Sequence, residues 1–208
     1  MRGAILAGGA ASRFGGAPKG LLTVGGSRIL DRVVARVQAV TDAPPPPPLL
    51  VANAPDASAW RPDLKTIADA RPGFGSLGGI YTAVTAEPGP VLCVAWDMPF
   101  VPEGLLRALV EGAGAGAGAG TYDVFLPESS GPRGLEPLCA VYGPACGPAI
   151  ARRLDSGDLK AISFHPDVRV GILSLAQVRA FGDPAELFFN VNTPDDLERA
   201  EVLWQRRA

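Results

Sequence analysis

The most chemically loaded stretch of the chain lies between Gly8 and Gly20. It holds Gly8, Gly9, Gly15, Gly16 and Gly20, with Arg13 and Lys19 among them. Glycine leaves no side chain between the backbone amides and a ligand, and successive N–H groups can form a concave nest for an anion. Arg13 can meet phosphate oxygens with a fork of donors, and Lys19 can add a mobile point charge. The spacing is not a Walker A loop, because Lys19 is followed by Gly20 rather than Ser or Thr. Nor is it a Gly-x-Gly-x-x-Gly dinucleotide fingerprint entering a helix at once. The bland alternative is a mobile surface loop.

Acidic and amide groups recur at the ends of apolar runs. Asp97 follows the run Val91–Ala95 and Trp96. A carboxylate there suits a magnesium ion, which takes one or two carboxylates plus substrate phosphates; the alternative is a helix-capping aspartate ahead of Pro99-Phe100. Asp69 follows a weaker run and precedes a glycine-rich segment, Gly73 to Gly79. It can orient a ribose hydroxyl or a base, or serve as a turn residue. The Asn53 amide can read a base or sugar, or close a turn. Asn190-Val191-Asn192 flanks the last expected strand, and alternation would put both amides on the same side. They can complete a metal or phosphate shell, or satisfy backbone groups. His165, the one histidine, has no partners that make a catalytic triad. Cys93, Cys139 and Cys146 are odd in number and fit neither a zinc site nor a disulfide framework; Cys93, inside the apolar run Val91–Ala95, reads as a small buried hydrophobe in a reducing compartment.

These groups need a scaffold, and the apolar patterning supplies one. Ala4–Ala7, Leu49–Ala52, Lys65–Ala68, Val91–Ala95, Tyr122–Leu126, Pro137–Tyr142, Val168–Leu173 and Phe188–Val191 read as strands. Helices are expected from Ser27, as cap, to about Val40, over Leu77–Thr85, after Pro102, after Pro144 or Pro148, after Ser174, and after Thr193. Pro194, Asp195 and Asp196 make the last of these a well-marked helix start. Pro44–Pro48 reads as a stiff connector and Gly112–Gly120 as a flexible loop. The alternation predicts one α/β domain over residues 1–208: three layers, with a central, mostly parallel but mixed sheet and helices on both faces. Ligands in such sheets bind beyond the carboxyl ends of the strands, where Gly8, Lys19, Asn53, Asp69 and Asp97 all fall.

Bulk properties narrow the function class. A net charge of -2 argues against a dedicated nucleic-acid binder, but not against a locally positive pocket for a phosphorylated ligand. The opening apolar run is short for a signal peptide, and no stretch reaches the ~20 apolar residues of a membrane span. The expectation is a cytoplasmic protein.

The ordered motifs resemble the molybdenum cofactor guanylyltransferase family, within the nucleotidyltransferases of the sugar-nucleotide type. The matching blocks are Leu6-Ala7-Gly8-Gly9, Ser12 to Gly16, Lys19 to Leu22, Gly25-Gly26, Asp69, Gly75 to Ile80, Asp97-Met98-Pro99-Phe100, Glu136-Pro137-Leu138, Leu154 to Gly157, and Phe189 to Leu197. The resemblance implies a Rossmann-like nucleotidyltransferase fold. It implies that Leu6, Ala7 and Gly8 hold the guanine nucleotide, that Lys19 binds its phosphates, that Asn53 and Asp69 touch base or ribose, and that Asp97 carries magnesium; Gly9 joins them as a nucleotide-binding candidate, and Arg13 joins Lys19 and Asp97 as a catalytic candidate that offsets phosphate charge. The implied reaction joins GMP to the terminal phosphate of molybdenum-loaded molybdopterin, releasing pyrophosphate. Implied partners are GTP, the molybdopterin acceptor and a protein that delivers it, with the chain a monomer or weak homo-oligomer and neither nucleic acid nor membrane involved. Phe14 and Ser76 depart from the family's usual methionine and proline. A cytidylyltransferase on the same pterin, a sugar-phosphate nucleotidyltransferase and a non-catalytic nucleotide-binding regulator stay open as alternatives.

Overall fold

The apolar strands hydrogen-bond side by side because burying their side chains obliges their backbone N–H and C=O groups to pair. In the computed structural model, which describes residues 1–8, 18–41, 47–114, 122–131 and 134–207, they form one seven-stranded sheet. Its strands are β1 (Arg2–Ala7), β4 (Leu49–Ala52), β5 (Thr66–Ile67), β6 (Val91–Ala95), β7 (Val124–Pro127), β8 (Cys139–Tyr142) and β9 (Val170–Leu173). Their spatial order is β5-β4-β1-β6-β8-β7-β9. Strand β8 runs antiparallel to both its neighbours, while the remaining pairings are parallel. The expected mixed, mostly parallel sheet is observed.

Strand alternation divides the core in two. Ile5, Ala7, Leu50, Ala52, Leu92 and Val94 point to one face; Ala4, Leu6, Leu49, Val51, Val91 and Cys93 point to the other. Helix α1 (Ile29–Val40) covers the first face with Ile29, Leu30, Val33, Val34, Val37 and Val40, a stripe of period near 3.6. Helix α4 (Glu103–Gly114) joins it there through Leu105, Leu106 and Leu109. Helices α3 (Gly75–Thr85) and α5 (Cys146–Ser156) cover the opposite face. Short helices α2 (Ala57–Trp60), α6 (Leu175–Arg179) and α7 (Pro184–Leu187) fill the connections, and α8 (Pro194–Gln205) closes the described chain. Capping boxes at Ser174 and Thr193 start α6 and α8 as the sequence predicts.

Three local expectations are corrected. Ser27 does not cap α1: with Arg28 it forms β3, paired antiparallel with β2 (Thr23–Val24). The turn between them is Gly25-Gly26, with φ of 58° and 74°, the positive pair that a two-residue hairpin demands. Phe188–Val191 is not a strand. Asp183 caps and Pro184 opens α7 just before it, and the Phe188 N–H bonds back to the Pro184 carbonyl, so the segment is used up in closing a helix. Gly112, Ala113 and Gly114 belong to α4 rather than to a loop; the rest of the glycine–alanine run, and Pro44–Pro46, lie outside the described residues.

Candidate active site

The chain leaves β1 toward β4 on one side, and β6 later takes the other side of β1. This is the switch point at which open α/β sheets form a ligand crevice. Parallel register pairs Leu6 with Ala95 and Ala7 with Ala52, and the Trp96 N–H donates to the Leu6 carbonyl at 3.2 Å. Gly8, Asn53, Asp69 and Asp97 therefore come just past the paired residues of four strands, in one row along the carboxyl rim. Leu6 and Ala7 sit inside β1 with buried side chains on opposite faces, so anything they offer a ligand is backbone. Gly8 is exposed. Gly9 and Arg13 lie outside the described residues.

At the β6 end the groups are buried. Lys19 begins a single 3-10 turn, Lys19–Leu21, after Pro18. Its Nζ donates to Asn192 Oδ1 at 2.7 Å and lies 3.4 Å from Asp97 Oδ2. Lys19 and Asp97 are only 9% and 8% exposed. Burial raises the Asp97 pKa above its ordinary value, and the nearby Lys19 ammonium opposes that rise without cancelling it. Asp97 is not a helix cap, since α4 starts only at Glu103; its side chain is spent on Lys19. Its backbone carbonyl accepts from the Val191 N–H at 3.0 Å, which brings the distant 190–193 segment beside Lys19 and Asp97.

That segment splits the two asparagines. Asn190 donates to the Phe188 carbonyl at 3.0 Å and ties its own loop. Asn192 faces Lys19 and is held by its N–H on Asp196 Oδ2 at 3.1 Å, part of the Thr193 capping network. The expectation that both amides face one way fails with the strand; Asn192 is instead a support for Lys19. The Asn192-Thr193-Pro194 signal is visible in the sequence, but the contact spans 173 positions.

The β4–β5 end is exposed. Asn53 Nδ2 donates to Asp69 Oδ2 at 2.7 Å, and Asn53 Oδ1 accepts the Asp69 N–H at 2.8 Å. A methyl placed on Gly79 would lie 3.9 Å from both Asp69 Oδ1 and Leu6 Cδ2, so the start of α3 borders this end. Arg71 bonds Asp155 at 2.5 Å, joining the 69–80 and 154–157 motif blocks across α3 and α5.

Other candidates drop out on position. His165 packs edge-on against Phe164, and burial lowers its pKa to about 4. Burial pushes the Cys93 and Cys139 thiols up and takes Cys146 to about 12, which makes none of them a nucleophile near neutral pH. Among the described residues no helix is long and apolar enough to cross a membrane, and no three His, Cys, Asp or Glu side chains gather as a metal cluster.

The family profile of the MobA-like NTP transferase domain matches residues 3–168. A protein of Pelotomaculum thermopropionicum named "Probable molybdenum cofactor guanylyltransferase" is 36% identical, over 97% of this chain and 92% of its own length. The molybdenum cofactor guanylyltransferase of Desulfosudis oleivorans is 34% identical, over 97% and 95%. Among solved structures, the molybdopterin-guanine dinucleotide biosynthesis protein A of Archaeoglobus fulgidus superposes with a TM-score of 0.77 at 28% identity, covering 99% of this chain and all of that one.

Proposed function

This chain belongs to the MobA-like NTP transferase family, and we propose that within it the protein transfers GMP from GTP to the terminal phosphate of molybdenum-loaded molybdopterin. The names of its relatives support the acceptor. The observation that carries the reading is the buried meeting of Lys19 and Asp97 at the sheet's switch point.

The donor set fits a magnesium ion. Asp97 is a buried carboxylate at the carboxyl rim of the sheet, a hard oxygen ligand of the kind magnesium takes. One carboxylate completed by phosphates and water is a usual magnesium arrangement. Asp97 would hold the ion, which when bound supplies charge neutralisation on the triphosphate. Lys19 would supply a point charge to the same phosphates, and Asn192, which accepts from its ammonium at 2.7 Å, would hold it beside Asp97. Asn53 and Asp69 offer an amide and a carboxylate to base or ribose.

The chemistry asks for little proton transfer. A phosphate monoester acceptor is mostly ionised near neutral pH, with a second pKa of about 6. One of its oxygens forms a bond to the α-phosphorus of GTP; the bond to the bridging oxygen breaks, and pyrophosphate leaves with the electron pair. The chain's task is to offset repulsion between the two anions and align them. A delivering protein partner belongs to the same proposal.

Pyrophosphate release, screened over GTP, CTP, ATP and UTP against molybdopterin and sugar phosphates, tests the reading. Release with GTP and the pterin is expected. Release with CTP would move the chain to cytidylyl transfer, and release with a sugar phosphate alone would overturn the acceptor. Nucleotide binding without release on any acceptor would leave a regulator.

A further inference from the structure

We propose that Trp96 is a positioning residue for Lys19: its indole is the platform on which the Lys19–Gly20 turn rests, and so it sets where the phosphate-binding ammonium stands. A Cβ placed on Gly20 would lie 2.3 Å from Trp96 Cε3 and 2.8 Å from Cδ2. No side chain larger than hydrogen fits between the turn and the ring. Gly20 is not among the glycines with positive φ, so room, not backbone conformation, makes this position glycine.

The platform is itself braced. Trp60 stacks on Trp96 with ring centroids 5.1 Å apart and planes inclined by 18°. The Trp60 indole N–H donates to Asp56 at 3.0 Å. The backbone N–H of Trp96 is fixed to Leu6 of β1. By contrast the buried indole Nε1 of Trp96 has no hydrogen-bond partner among the described residues. A buried donor left without an acceptor costs free energy, so what this residue contributes is the shape of its ring. Trp96 also immediately precedes Asp97. One residue thus carries the carboxylate through its backbone and supports the opposing cation through its side chain. Asn192 Oδ1 accepts from the same ammonium at 2.7 Å.

The proposal deepens the phosphate-binding role given to Lys19 and depends on that role for its catalytic consequence. The test reads position without any nucleotide. Lys19, Lys65 and Lys160 are the chain's lysines, and the latter two are exposed. Acetylation by a water-soluble succinimidyl ester, followed by mass spectrometry, reports Lys19 against these internal references. Cys93 and Cys139, fully buried, report folding by remaining unreactive to iodoacetamide.

In the wild type, Lys19 is expected to react at least about tenfold more slowly than Lys65. Gly20→Ala should raise its rate toward that of Lys65 while the cysteines stay protected. Trp96→Leu should raise it as well. The double variant should react more slowly than either single one, because the added methyl occupies space the ring vacates. If Gly20→Ala does not fold, Trp96→Leu decides alone. Lys19 protection unchanged in a folded Gly20→Ala or Trp96→Leu would overturn the proposal, as would a double variant at least as reactive as the worse single one. Adding GTP with magnesium should protect Lys19 further in the wild type. Absence of that protection with the variant pattern intact would count against the function of Lys19 and leave the platform standing.

Discussion

At the β4–β5 end of the cleft, Asn53 and Asp69 hold each other in contact with water; at the β6 end, Lys19 and Asp97 hold each other away from it. An exposed hydrogen bond contributes on the order of 1 kcal/mol net, so the first pair can exchange partners with a ligand at little cost. The second pair sits where charges interact through a low effective dielectric and water does not screen them. Such charges are aligned before the substrate arrives, the arrangement that stabilises a developing charge most. In the proposed reading one end of the crevice serves recognition and the other serves charge.

The largest expected effect tests the charged end. Asp97→Asn should reduce pyrophosphate release by about 10³-fold or more, the scale of a lost metal anchor. Its melting temperature should not fall, because burial, rather than its attraction to Lys19, dominates the Asp97 pKa, and the Lys19 ammonium keeps Asn192 Oδ1 as an acceptor and gains the new amide oxygen beside it. A raised folded-state pKa means that ionised Asp97 subtracts from stability at neutral pH. A variant that unfolds earlier would break the contrast by making Asp97 a structural residue. Lys19→Met should cost ~10²-fold in rate. It should also destabilise, by roughly 3 kcal/mol in a denaturant titration, because it leaves a buried carboxylate without its cation.

The exposed end should answer differently. Asn53→Ala is expected to raise KM for GTP about tenfold, with kcat within about twofold, and to lower stability by about 1 kcal/mol, since it removes both exposed bonds to Asp69. A loss in kcat equal to the loss in kcat/KM would erase the division between the two ends. The smallest effect on turnover lies outside the cleft. The folded pKa of His165 is depressed to about 4, so protons favour the unfolded chain. Stability is full above the ordinary value of ~6.5 and declines as pH falls toward 4. His165→Phe should flatten that part of a melting-temperature profile and leave turnover unchanged.

The exposed end was the more legible in the sequence. Asn53 and Asp69 each follow a short apolar run, and parallel strands in register must bring such residues together. Ala4–Ala7, Val91–Ala95 and the α1 stripe were likewise readable from periodicity. The charged end was readable in its residue types but not in its contacts. Asn192 reaches Lys19 only because the Val191 N–H finds the Asp97 carbonyl, a pairing no local rule announces. The same holds for Gly20 on Trp96 and for Gly25, where a Cβ would meet the Trp204 indole of α8 at 2.1 Å. Phe188–Val191 misled because an apolar run bounded by asparagine looks like a strand, while the decisive signal, Asp183-Pro184, lay upstream of it.

Calorimetric titration of GTP, with and without magnesium, on the wild type and Asp97→Asn tests the central claim most directly. The account predicts that magnesium tightens GTP binding about tenfold or more in the wild type, and by less than about twofold in the variant. Metal-free affinities should be alike in the two proteins. A magnesium effect of equal size in both would contradict it, since the ion would then be held somewhere other than beside Lys19 and Asp97.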